Sequence, residues 1–414
     1  MVRPTLPPAV ELKLDLMFDG IRYTDTLRQA AAHAFPNFFP HRFAPGEPDP
    51  TGTGKADIPY MAVTPDGMHC RIKTSPSSPW SISGSRAEGY ALRHDDGRPA
   101  LPVDFEPAQP WLARETQDGV PGYQAGVTLH GDMVVVNLAP GCEYFLAPKE
   151  GSVSMRCTFC TYGSPDVRLQ ALDQAMGQTA IPERTYGRMQ EVLARVLGQT
   201  AVATIYLVGG SLTDPREEGL RFTELARRVQ AVNGRRVPVT CGSGALPAES
   251  LRVLHDERLV DAVCFNLEIW SEALFARVCP GKSRYVGYAR WIESLENAAA
   301  LWGRERVYTA MVAGVELGPD IGLRPEEALD IALRGAEDLC GRGIMPIYSP
   351  YWPPSHHDLP EQMRGLRTFF EGLQLGYHAI RRRHGLRFWD GFVTRRSSYM
   401  QLECDVDHGL GAGS

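Results

Sequence analysis

From residue 133 onward, short runs of apolar and β-branched residues alternate with longer amphipathic stretches. A parallel sheet covered on both faces by crossover helices produces this pattern, because its buried strands read as near-continuous apolar runs. Six such runs stand out: MVVVNLAP from 133, TIYLVGG from 204, VPVTCG from 237, DAVCFNLEI from 261, RVYTAMVAG from 306 and GIMPIYSP from 343. Between them lie segments of helical period, such as RTYGRMQEVLARVLG, REEGLRFTELARRVQAV, AESLRVLHDE, ARWIESLENAAALWG and PEEALDIALRGAEDL. Several open with the proline or acidic residues that helix starts favour. The expected fold class is therefore α/β, a partial (β/α)6 barrel of the TIM type over residues 131–355.

Residues 1–130 read differently. Stretches such as PNFFPHRFAPGEPDPTGTG and TSPSSPWSISGS are rich in proline and glycine, and a helical period shows only in TDTLRQAAAHAF. Frequent Trp, Phe and Tyr supply the burial that disordered segments lack, so an ordered α+β accessory region, irregular and partly β, is expected here. Residues 356–414 hold one more helical stretch, 361–384, and a tail.

Composition narrows the function class. With 43% hydrophobic and 22% charged residues in 414, the chain reads as folded and globular. A net charge of -6 argues against broad docking on nucleic acid and favours a small-molecule substrate. The basic run Arg381-Arg382-Arg383 reads as a solvated helix face. No stretch reaches the roughly 20 apolar residues of a membrane helix, and MVRPTLPPAVELKLDL lacks the apolar core of a signal peptide, so a cytoplasmic protein with no membrane contact is expected. Nine scattered cysteines suit metal or redox chemistry better than a disulfide framework.

Three of those cysteines cluster. The segment GCEYFLAPKEGSVSMRCTFCTYG follows the first expected strand and sets Cys142, Cys157 and Cys160 in a CX14CX2C pattern. In a parallel barrel, chemistry gathers at the carboxyl ends of the strands. Thiolates are soft ligands for iron-sulfur clusters and zinc, and three without an adjacent fourth fit a four-iron cluster with one iron left open. A structural zinc site completed by a distant Cys or His, or a redox CxxC pair, also satisfies these residues.

The strand-end triad, with Phe159 inside its closing CTFC, resembles the signature of radical S-adenosylmethionine (SAM) enzymes. Most members place three residues between the first two cysteines; the wider gap here is similar to that of some 7-carboxy-7-deazaguanine synthases. Further segments resemble the biotin synthase-like subgroup. YLVGGSLTDP matches a GGE-like turn at Gly209 and Gly210, with Ser211 replacing the acid, and the resemblance implies contact with the methionine amino group of SAM. CFNLEIW resembles the segment that holds the ribose hydroxyls, implying that role for Asn266 and Glu268, which strand alternation would turn to one side. TAMVAGVELG resembles the segment against the adenine, with Val312 and Gly314 in matching places and Glu316 one residue early. Lys282, Arg284 and Arg290 could face a carboxylate, and Tyr348, Tyr351, Trp352, His356 and His357 could shape a substrate pocket.

The resemblance covers about residues 133–355. It implies a [4Fe-4S] cluster on Cys142, Cys157 and Cys160, with SAM as second cofactor and an external electron donor such as ferredoxin or flavodoxin. The implied chemistry is reductive cleavage of SAM to a 5'-deoxyadenosyl radical and hydrogen abstraction from a small polar metabolite. Rearrangement, cleavage or coupling of a carbon skeleton would follow, the work of a lyase, isomerase or transferase. A tRNA- or nucleobase-modifying radical enzyme and a zinc-bearing barrel are the rival readings. The zinc reading expects a fourth Cys or His within reach of the triad, whereas the radical reading expects an open side facing Gly209, Asn266 and Glu268.

Overall fold

The computed structural model describes residues 5–37, 40–43, 46–139, 141–145, 154–160, 181–318, 321–351 and 359–411. The chain divides into two compact units, Met1–Leu112 with Arg395–Ser414, and Ala113–Thr394.

The first unit opens with helices α1 (Pro8–Phe18) and α2 (Asp25–Ala31), followed by a two-stranded pair, β1 (His41–Arg42) with β2 (Lys55–Ala56). An antiparallel five-stranded sheet comes next: β3 (Met61–Val63), β4 (His69–Arg71), β5 (Trp80–Ser85), β6 (Gly89–His94) and β7 (Leu101–Phe105), in the order β4-β3-β7-β6-β5. Sequence periodicity did not indicate α1, whose first position is Pro8 and whose Val10, Leu14 and Met17 are buried. Its Lys13 is fully buried, and the Nζ donates to the Ser398 carbonyl at 2.5 Å and to Asp405 at 2.7 Å on the C-terminal helix Glu403–Gly409.

In the second unit the six apolar runs all form strands, and each is followed in the chain by a helix. The elements are β8 (Val127–His130), β9 (Met133–Asn137), α3 (Glu183–Gln199), β10 (Thr204–Val208), α4 (Pro215–Asn233), β11 (Val239–Ser243), α5 (Ala248–Asp256), β12 (Ala262–Phe265), α6 (Glu272–Val278), α7 (Pro280–Tyr285), α8 (Tyr288–Trp302), β13 (Val307–Ala313), α9 (Pro325–Gly341), β14 (Met345–Pro350) and α10 (Leu359–Arg383). The seven strands form one mixed sheet, β14-β13-β12-β11-β10-β9-β8, parallel from β9 to β14. The edge strand β8 was not anticipated; it returns antiparallel on β9 through a tight turn at Gly131.

Burial along the strands separates two faces. Val135, Asn137, Tyr206, Val208, Ala310, Val312 and Ser349 are half-buried, and their in-strand neighbours are buried. Register pairs Val135 with Tyr206, Asn137 with Val208 and Val312 with Ser349, which puts these residues on a common face. Lower on that face, Tyr206 and Tyr308 pack on Phe392, with ring centroids 5.1 and 4.9 Å apart.

Arg381 departs from the solvated face expected for its basic run. It is buried, its guanidinium over the rings of Tyr377 and Phe388 at 4.8 and 4.3 Å, because aromatic faces attract a delocalised cation. Among the described residues, no helix is long and apolar enough to cross a membrane.

Candidate active site

The carboxyl ends of β9, β10 and β12 bring most of the expected residues together. Cys142 lies just after β9, where the GG turn after β10 holds it from behind. Gly210 N–H donates to the Ala139 carbonyl at 2.8 Å, and Glu143 N–H donates to the Ser211 carbonyl at 2.9 Å. A Cβ on Gly210 would stand 2.6 Å from the Cys142 nitrogen and collide with Gly141, so only glycine permits this approach. The backbone N–H groups of Tyr144 and Ser211 point at the Cys142 sulfur, and burial pushes its thiol up to about 12.

Two buried side chains on α4 brace the same turn. Arg221 donates to the Gly210 carbonyl. The Glu218 carboxylate accepts from the N–H groups of Leu212 at 2.9 Å and Gly244 at 2.6 Å. Desolvation raises the Glu218 pKa against the pull of Arg221. Glu143, beside the first cysteine, accepts from the Thr213 N–H and hydroxyl, both at 2.8 Å. Sequence reasoning missed all three: an acidic residue in a first helical turn, such as Glu218, ordinarily reads as exposed.

Cys157 is buried and Cys160 half-buried, the two joined by a turn in which Cys160 N–H donates to the Cys157 carbonyl at 3.1 Å. Phe159 between them is half-buried. Cys157 lies close enough to Cys142 to raise its thiol further. Hydrogen bonding by the Cys279 thiol lowers the Cys157 pKa. Among the described residues, no three His, Cys, Asp or Glu side chains converge at the range of a single metal ion. A four-iron cluster makes a different demand, since each thiolate binds its own iron and the ligands stand apart.

Asn266 and Glu268 lie beyond the last residue of β12 rather than on the strand. Glu268 takes a left-handed backbone, φ 73°, and bridges to β13: its N–H donates to Ala310 at 2.9 Å and its carbonyl accepts from Val312 at 2.8 Å. Its carboxylate accepts at 2.6 Å from Lys282, which also donates to the Asn266 carbonyl at 2.5 Å and lies 4.7 Å from the centroid of the Trp291 ring. Burial raises the Glu268 pKa, opposed by Lys282. Burial alone would lower that of Lys282, but Glu268, Cys157 and Cys279 together raise it. Asn266 Oδ1 is buried and has no donor, and the Tyr144 hydroxyl is likewise unpartnered.

Gly314, expected against an adenine, has protein where its Cβ would stand. With φ 89°, its missing Cβ makes room for Leu366 of α10. Glu316 is buried in the turn that follows. Arg284 and Arg290 are exposed, whereas Tyr348 and Tyr351 are buried. Trp352, His356 and His357 lie outside the described residues.

No family model matches the chain. It is 20% identical over 294 residues to the bacteriochlorophyllide c C-7(1)-hydroxylase of Chlorobaculum limnaeum, an alignment covering 67% of this chain and 66% of that protein. The chain thus matches slightly less than two thirds of that relative's length. Among solved structures, a radical SAM methyltransferase from Sphaerobacter thermophilus aligns with TM-score 0.40 at 16% identity, covering 76% of this chain and 77% of that one. Methylornithine synthase aligns with TM-score 0.38 at 17% identity, covering 67% and 79%.

Proposed function

We propose that this chain is a radical SAM enzyme, with a [4Fe-4S] cluster on Cys142, Cys157 and Cys160 and SAM against the ends of β10, β12 and β13 of a partial (β/α)6 barrel. The observation that carries the reading is a buried acceptor without a donor, Asn266 Oδ1, to which the ribose hydroxyls of SAM would supply one. Backbone N–H groups aimed at Cys142, and a glycine turn that cannot carry side chains behind it, fit a thiolate held for iron. When bound, the reduced cluster would give the one electron that cleaves SAM into methionine and a 5'-deoxyadenosyl radical, the species that removes hydrogen from an unactivated position.

The protein's part is to position and enclose. Gly209, Gly210 and Ser211 would offer backbone carbonyls to the methionine amino group, Asn266 and Glu268 would take the ribose, and Val312 would give an apolar surface to the base. Gly314 belongs to this set through its turn, which admits Leu366 and so fixes the end of β13. An external donor such as ferredoxin or flavodoxin supplies the electron.

The acidic net charge favours a small polar metabolite over nucleic acid as substrate, with a lyase, isomerase or transferase outcome. A second reading has its own support. The half-buried residues of the shared sheet face include Val135, Val208, Ala310 and Val312, and the curated relative is named for hydroxylating a chlorophyllide. Both suit a substrate with an apolar body.

The test is anaerobic reconstitution with iron and sulfide, then dithionite and SAM, with 5'-deoxyadenosine measured for the wild type and Cys157→Ala. Deoxyadenosine from the wild type alone supports the reading. A colourless protein retaining one zinc, without SAM cleavage, overturns it.

A further inference from the structure

Cys279 lies where α6 ends and α7 begins, fully buried, with no place among the three cysteines of the CX14CX2C pattern. Two backbone hydrogen bonds bind its segment to that of Cys157. Thr158 N–H donates to the Val278 carbonyl at 2.9 Å, and Gly281 N–H donates to the Met155 carbonyl at 2.9 Å. The two bonds flank both cysteines in an antiparallel register, so the stretches 155–158 and 278–281 are clamped together with Cys279 opposite Cys157. Gly281 makes the clamp possible: a Cβ there would stand 2.6 Å from Tyr144 Cγ and also collide with the Met155 carbonyl.

The same short segment carries Lys282, whose buried ammonium is held by Glu268 and by the Asn266 carbonyl. Cys157 therefore faces a thiol and a fixed positive charge from one piece of chain. A sulfur set directly opposite Cys157 by this clamp is too near to sit on a separate iron of the same cluster, so Cys279 is no fourth ligand where it stands. It can donate.

We propose that Cys279 is a positioning residue of the cluster, its S–H donating to the ligand sulfur of Cys157 and, with Lys282, raising the midpoint potential at which the cluster accepts an electron. The inference rests on the radical SAM reading. Hydrogen bonds and positive charge at a ligand sulfur withdraw electron density and favour the reduced cluster, one of the recognised ways a protein sets cluster potential. A thiol that merely filled space would leave the potential where it is.

The experiment uses full-length wild type, Cys279→Ala, Cys279→Val and Cys279→Ser, each reconstituted anaerobically. Iron and sulfide per chain are measured first. The midpoint potential is then read by reductive titration, following cluster absorption and the spin resonance of the reduced state, without substrate. The expected result is a full cluster in each protein, with midpoints more negative in Ala and Val than in wild type and moved back toward wild type by Ser, which keeps a donor. If Ala fails to hold iron, Val, which fills the space without donating, decides. A wild-type midpoint in the donor-less variant, or a Ser variant as negative as Val, overturns the inference and leaves the radical SAM reading intact. A wild type that binds no iron overturns both.

Discussion

Replacing Glu316 by glutamine will flatten the pH dependence of stability between about 4.5 and 7. Glu316 sits in the short turn Val315–Leu317 directly after β13, 4% exposed, with its Oε2 accepting the Gly314 N–H at 3.0 Å. Among the described residues no cation pairs with it, and burial raises its carboxyl from 4.5 to about 7. The folded state thus holds the proton more tightly than the unfolded chain does. Its stabilising contribution is fully present below about 4.5 and is lost as pH rises through about 7. A rise from 4.5 to about 7 corresponds to about 3 kcal/mol. Glutamine keeps the acceptor for Gly314 but has no proton to lose. Denaturant midpoints of wild type and E316Q, measured from pH 4.5 to 8 on the transition of unit Ala113–Thr394, should nearly coincide at the acid end and separate in favour of E316Q above neutrality. Parallel profiles would refute the reasoning and mean that water or a rearranged neighbour solvates the carboxylate.

Gly210→Ala should cost about 1 to 3 kcal/mol, because the added methyl meets rigid backbone at Gly141 and Cys142. Iron content after reconstitution should fall with it, and full iron at unchanged melting temperature would contradict the close approach. In the first unit, Lys13→Met removes one partner of a fully buried ion pair, but Arg395 still holds Asp405 at 2.8 Å. The expected loss is therefore about 2 to 3 kcal/mol, at or below the low end for a broken buried pair, and a calorimetric change under 1 kcal/mol would refute it. Asn266→Leu removes an acceptor that bonds nothing in the protein, so stability should hardly change while SAM binding, followed by calorimetry, weakens about tenfold, or about 1.4 kcal/mol. Lost stability with unchanged SAM affinity would assign Asn266 a structural role.

The parallel strands were legible because burial on both faces leaves few polar residues to interrupt a run such as TIYLV or AVCF. β8 was harder to see: four residues of alternating burial, VTLH, on an edge. The junction of α6 and α7 was illegible for another reason. These helices have seven and six residues, too short to show a period, and the proline between them reads as a turn. The candidate site residues divide in the same way. The triad announced itself by spacing, and Lys282 by its basic surroundings. Cys279 gives no local signal, since its meaning arises only when β12 brings its following segment beside a loop more than a hundred residues earlier in the chain. Arg381 was misread because a basic run looks the same in sequence whether water or two aromatic rings receive it.

Glu268 shows how a structural and a ligand-binding role can occupy one side chain. An ion pair at the strand end was the plain alternative to ribose binding, and the pair exists: Lys282 takes Oε1. A carboxylate has a second oxygen, however, which Lys282 does not take. The backbone carries a cost of its own. A glutamate at φ 73° is in a conformation that disfavours side chains by roughly 1 to 3 kcal/mol, and here it is enforced by the bonds to Ala310 and Val312. That cost, beside a buried acceptor that lacks a donor, is hard to explain as stabilisation of the fold alone. It is explicable if the hydroxyls that Asn266 Oδ1 lacks also meet the carboxylate, with Lys282 holding Glu268 oriented until they arrive.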